Sequence, residues 1–171
     1  MNDKKIAVIA LCDPDEPAAI RPYLDALDVP NGCEVELIEV CAEGSTAAAC
    51  QQAMEKTDAK YKVYLAPGSI LIRLTFFQEM LCLFVKDPAI CIIGLIGTPQ
   101  LSTTGELVMS PHIVGNVLYT DDTSFHGDPI AGEMENVMVV SDYLIATQYD
   151  VPWRSDLFHE DSFWTEAQCI E

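Results

Sequence analysis

Ile6-Ala-Val-Ile-Ala-Leu11 is an apolar run with no polar residue at alternate positions. A strand with one wet face alternates; a strand covered on both faces, as in a parallel sheet, does not. The run is followed by Cys12-Asp-Pro-Asp-Glu16, a turn in which Asp13 or Asp15 can cap a helix and acids suit its first turn. Ile20, Tyr23, Leu24 and Leu27 then recur at helical spacing, so a helix is predicted over 17–27, with Pro22 inside it and Val29-Pro-Asn-Gly32 ending it. The cycle repeats: strand 35–40, turn 43–46, Ala-rich helix 47–56, strand 61–65, the breaker Ala66-Pro-Gly-Ser69, apolar helix 74–85 stopped by Asp87-Pro88, and strand 90–96. The order β-α-β-α-β-α-β calls for right-handed crossovers and a parallel sheet in one soluble α/β domain. After Gly97 the texture changes. Residues 98–133 read as loops with a small hairpin near 113–119, residues 136–140 and 144–147 as strands, and 161–170 as a short terminal helix.

The bulk numbers agree with one domain. The chain has 171 residues, half of them apolar, enough for one sizeable core. Its longest apolar run, residues 89–98, is too short to span a bilayer at about 20 residues, and the short run after Lys5, which leads into Asp13-Pro-Asp-Glu16, does not read as a signal peptide. Seven cysteines without a C-x-x-C pattern read as small hydrophobes in a reducing cytoplasm rather than as disulfides, zinc ligands or a thiol nucleophile. Nine basic residues face 27 acidic ones. That balance argues against nucleic acid and acidic lipid, which need clustered Lys and Arg.

In an open α/β sheet, ligands sit beyond the carboxyl ends of the strands. The residues of interest are therefore Leu11 to Asp13, Cys41 to Ser45 and Ala66 to Ser69. No G-x-G-x-x-G follows the first strand and no P-loop occurs, so dinucleotide and P-loop chemistry lose their main support. Glu43 can accept a hydrogen bond from a base amide or sugar hydroxyl; the plainer reading is a surface turn before a helix capped by Ser45 or Thr46. His112 and His126 read as solvated loop residues. A cation site among His126, Asp121, Asp122 and Asp128 has no spacing to support it.

Several segments together are recognisable. Ser45-Thr-Ala-Ala-Ala49, Gln51, Ala53-Met54 and Asp58-Ala-Lys-Tyr-Lys-Val-Tyr-Leu65 resemble the second-helix and third-strand region of family 2-like glycosyltransferases, in the group related to the streptomycin biosynthesis protein F. Ile92-Ile-Gly-Leu-Ile-Gly-Thr-Pro99 resembles that group's fourth strand. Ala146-Thr-Gln-Tyr-Asp-Val-Pro-Trp-Arg154, with Asp156-Leu-Phe158, Phe163-Trp164 and Gln168, resembles its C-terminal signature. The resemblance runs from about Lys5 to Glu171. It implies a Rossmann-like GT-A fold, with a nucleotide-binding half over 1–98 and an acceptor-side half over 99–171. Leu11, Asp13, Glu43, Gly68 and Ser69 would line the nucleotide-sugar site. Asp142, Trp153 and Arg154 would lie on the acceptor side, and Asp161 or Glu160 would be the base that deprotonates an acceptor hydroxyl. Each has a structural alternative: a cap for Asp161, a turn for Asp142, a packed corner for Trp153 and Arg154.

The chain departs from the family pattern at three places. Ala66-Pro-Gly-Ser69 stands where an acid normally holds a divalent cation on the diphosphate, so no metal ligand is assigned; an active enzyme would recruit Mn²⁺ or Mg²⁺ by other oxygens. Gln51 or Gln52 replaces a helical Asn. Relatives continue with another strand and a late His, so a shorter gene or a piece of a longer chain is expected here. The resulting expectation is transfer of a sugar from a nucleotide diphosphate to a hydroxyl on a glycan or small-molecule acceptor. The alternatives are a non-catalytic binding or scaffolding domain, and a fragment whose partner chain completes the site.

Overall fold

The structure is a computed structural model, and it describes residues 1–12, 20–41, 44–119, 123–130, 132–156, 165 and 169. In chain order the elements are β1 (Asn2–Cys12), α1 (Arg21–Asp25), β2 (Glu34–Cys41), α2 (Thr46–Glu55), β3 (Ala59–Leu65), α3 (Phe76–Lys86), β4 (Ile92–Gly94), β5 (Ile96–Thr98), a 3₁₀ turn (Leu107–Met109), β6 (Val114–Leu118), β7 (Ser124–His126), β8 (Val139–Val140) and β9 (Leu144–Thr147). The expected terminal helix over 161–170 and the turn over 13–16 fall outside the described residues, apart from Thr165 and Cys169.

Five strands form the main sheet in the order β2-β1-β3-β9-β4. β1 lies parallel to β2 and to β3. β9 enters between β3 and β4, antiparallel to both, so the sheet is mixed rather than parallel throughout. β1 accounts for its own central place. Ile6 through Ile9 are fully buried, and Ala10 and Leu11 nearly so, because both faces are covered and both edges are paired.

Side chains alternate between two cores, as the pleat dictates. Ile6, Val8 and Ala10, with Tyr61, Val63 and Leu65, pack against α1 and α3 through Leu24, Phe77, Met80 and Phe84. Ile9, Leu11, Tyr64 and Ile145 pack on the other face against Ala47, Cys50, Ala53 and Met54 of α2. α2 starts on a Ser45 cap, whose side chain accepts from the Ala48 N–H at 3.3 Å. β2 is an edge strand and carries Glu34, Glu36 and Glu39.

The predicted single strand over 90–96 is corrected. It splits at Leu95 into β4, in the main sheet, and β5, in a second sheet of order β7-β6-β5-β8. Glycines make the split sterically feasible. A Cβ on Gly94 would stand 2.4 Å from the Val140 Cβ, and one on Gly115, where φ is +101°, would stand 1.9 Å from the Leu95 carbonyl oxygen. The second sheet closes a small core of Ile96, Leu107 and Val139. Replacing Gly115 with Ala should therefore destabilise the chain by about 2–4 kcal/mol, through positive-φ strain and a backbone clash. Chemical denaturation would show it as a lower midpoint; an unchanged midpoint would mean that the two sheets do not meet this closely.

Candidate functional site at the strand tips

Parallel register brings the carboxyl ends of three strands to one rim. Cys12 stands opposite Cys41, and Ala10 opposite Leu65. The chain then turns at Ala66 to Ser69, where the Ser69 N–H donates to the Ala66 carbonyl at 3.0 Å and Gly68 takes φ +75°. That φ is one that glycine adopts at little cost. β9 begins at the same level, since Leu144 pairs with Leu65, and the Ala66 N–H donates to the Tyr143 carbonyl at 3.3 Å. α2 follows β2, so its amino terminus, with Gly44 and Ser45, also faces the rim.

Of the expected nucleotide-sugar residues, Gly68 and Ser69 are in the rim turn. Leu11 reaches the rim by its backbone; its side chain is in the α2-side core. Asp13, Glu43, Glu160 and Asp161 lie outside the described residues. Asp142 is exposed, one residue before Tyr143, and thus beside the rim turn. Trp153 is 4% exposed, with its ring 4.8 Å from that of Tyr64 in an edge-on contact, and its backbone N–H donates to Gln51 Oε1 at 2.9 Å. Arg154 holds Asp156 by two hydrogen bonds, at 2.8 and 2.9 Å.

The string Gln148 to Arg154 ties the sheet together away from the rim. Buried Gln148 donates to the Ile90 carbonyl at 2.6 Å, and the Tyr149 hydroxyl donates to the Pro88 carbonyl at 2.7 Å. Asp150 pairs with Lys62, a fully buried side chain of β3 that also donates to the Ala59 carbonyl.

Two tyrosines at the rim were not singled out from sequence. Tyr119, just past β6, and Tyr143 have ring centroids 6.3 Å apart and hydroxyls 3.4 Å apart. Hydrogen bonding to Tyr119, helped by burial, pushes the Tyr143 hydroxyl up to about 12, so it is a neutral donor at ordinary pH. Nothing local in Asp142-Tyr143-Leu144 announces this; it follows from β9 entering beside β3. Two clefts of about 250 and 450 Å³ flank α1, the first lined by residues that include Arg21, Leu24, Val35 and Leu37, the second by residues that include Pro22, Tyr23, Leu71 and Leu74.

At the described rim Asp142 offers a carboxylate and Ser69 a hydroxyl, and among the described residues no group of three or more His, Cys, Asp or Glu could hold a metal; Mg²⁺ or Mn²⁺ there would take its other oxygens from water and a phosphate. Among the described residues, Arg73 is paired to Glu79 and Arg154 to Asp156.

With this geometry in view, comparison with protein families gives one finding. The chain belongs to the glycosyltransferase-like family, whose model matches residues 8–171. No curated protein matches the chain. Among the described residues no helix is long and apolar enough to cross a membrane.

Two outcomes follow for the buried polar and thiol groups. Asp150→Ala strands the Lys62 ammonium in the core and should cost about 2–3 kcal/mol, short of a fully buried pair because Asp150 is half exposed; Lys62→Met should cost clearly less. Equal losses in thermal unfolding would remove the asymmetry. Burial pushes the Cys50 thiol from 9.0 up to about 12, so its contribution is intact below pH 9.0 and lost as pH rises toward 12. Unfolding free energy should fall across that window in the native chain and less steeply in Cys50→Ala.

Proposed function

We propose that the rim formed by the tips of β1, β2 and β3 receives a nucleotide-diphosphate sugar, as in a GT-A domain of the streptomycin-related group, in a cytoplasmic setting. The observation that carries this reading is the shared register of three parallel strand ends beside the Ala66–Ser69 turn. Supporting it are the amino terminus of α2, whose N–H groups favour a phosphate, and the aromatic pair Tyr119 and Tyr143, which offers a face and hydroxyls to a sugar. On this reading residues 1–98 bind the nucleotide. Asp142 serves the acceptor, and Asp161 or Glu160 takes the proton of the attacking hydroxyl on a glycan or small molecule.

One observation favours a second reading, binding without transfer. The leaving diphosphate needs a cation, and the turn after β3 supplies neither acid nor base. Calorimetric titration with UDP- and GDP-sugars, with and without Mn²⁺, separates the two. Metal-dependent binding with sugar transfer that Asp161→Asn abolishes supports the enzyme. Metal-independent binding without transfer supports the binding module. No binding of either nucleotide class would overturn the rim as a donor site. Gly68→Val should weaken any binding about tenfold or more, because the turn's φ of +75° is strained for a branched residue.

A further inference from the structure

The outer face of the second sheet carries a chain of three hydrogen-bonded side chains. β6 and β7 pair antiparallel, with Asn116 directly opposite His126 and Leu118 opposite Ser124. Val117 and Phe125 turn inward to the small core, so Asn116, Ser124 and His126 share the exposed face. His126 Nδ1 lies 3.1 Å from Asn116 Oδ1, and His126 Nε2 lies 2.7 Å from Ser124 Oγ. An amide oxygen only accepts, so Nδ1 carries the imidazole proton. The Nε2 lone pair is then left for the Ser124 hydroxyl, which donates to it. A hydroxyl, a base in reach of it and a third group orienting the base is the arrangement that activates a serine. Here a strand pair holds it, not a loop.

We propose that Ser124 is an acylation site that accepts a short acyl group from an acyl thioester. Ser124 Oγ attacks the thioester carbonyl carbon while its proton passes to His126 Nε2. The tetrahedral adduct collapses with loss of the C–S bond, and His126 returns the proton to the departing thiolate. The products are a serine ester and a thiol, with no oxidant or reductant required. Asn116 is a positioning residue, fixing the tautomer of His126. Leu118, 60% exposed and opposite Ser124, gives the acyl chain an apolar contact. The face is open to solvent, so water can hydrolyse the ester with His126 as base, and the acyl group on Ser124 is read at short times. This inference stands apart from the strand-tip reading.

The test uses the whole chain, an acetyl thioester of a small thiol, neutral hydroxylamine to clear cysteine thioesters, and peptide mass spectrometry. Acetyl should accumulate on Ser124, and His126→Ala should slow it about a hundredfold. Asn116→Leu should slow it as well, and Asn116→Asp, which keeps an acceptor, should restore it. All three side chains are exposed, so the unfolding midpoints should match; matching midpoints tie any lost labelling to the relay rather than to misfolding. Labelling of Ser124 that is absent in the native chain, or equal in His126→Ala, overturns the proposal. So does nitrogen NMR that places the imidazole proton on Nε2.

Discussion

Everything in this molecule hangs on β1 having a neighbour on each side and a core on each face. Its backbone is out of water, so every N–H and C=O must be matched across the sheet. Because both faces of β1 are apolar, its own pattern does not fix its register as an alternating strand's would. The open end supplies what the pattern lacks: the Lys5 ammonium lies 3.0 Å from Glu36 of β2 and 3.0 Å from Asp58 just before β3. Surface pairs of this kind contribute little energy. A slip of one residue would separate both, so they bias the alignment that sets Cys12 beside Cys41 at the other end.

That alignment is what makes a rim, and the rest of the chain is arranged around it. The glycine-lined split at Leu95 lets one apolar segment serve two sheets. The link from β8 to β9 then lays Asp142 and Tyr143 against the turn after β3. The Gln148–Arg154 string spends its polar groups on Pro88, Ile90, Lys62, Gln51 and Asp156. It therefore accounts for how the inserted strand β9 is held in place, independently of any contact with an acceptor.

Strands β1 to β3 and helix α2 were legible because their signals are local: unbroken apolar runs, a serine cap before α2, alanines within it; of the helix expected over 17–27, Arg21–Asp25 is observed and residues 17–19 lie outside the described residues. The helix expected over 47–56 is observed at Thr46–Glu55, and the strand expected over 144–147 is observed at Leu144–Thr147. What could not be read were events decided by distant partners. Ile90 to Ile96 looks continuous because it carries no polar side chain; the break comes from how closely Gly94 approaches Val140. The antiparallel entry of β9 is a pairing across about eighty residues of sequence, invisible to periodicity. The strand tips were legible as a location, since topology alone points there. Tyr143 and Tyr119 were not, and His126 looked like a solvated loop residue because its partners sit on a neighbouring strand.

The glutamates of β2 have an effect beyond the fold. An edge strand of eight residues, paired on one side only among the described residues, is a template on which another copy's backbone can add, the first step toward an endless sheet. Here Glu34 and Glu39 are exposed along that border and Glu36 is half-buried beside them. Two molecules meeting border to border would press like charges together as their backbones began to pair. An acidic composition that looks costly for holding a phosphate thus serves the chain in another way, by discouraging its sheet from growing past its own margin.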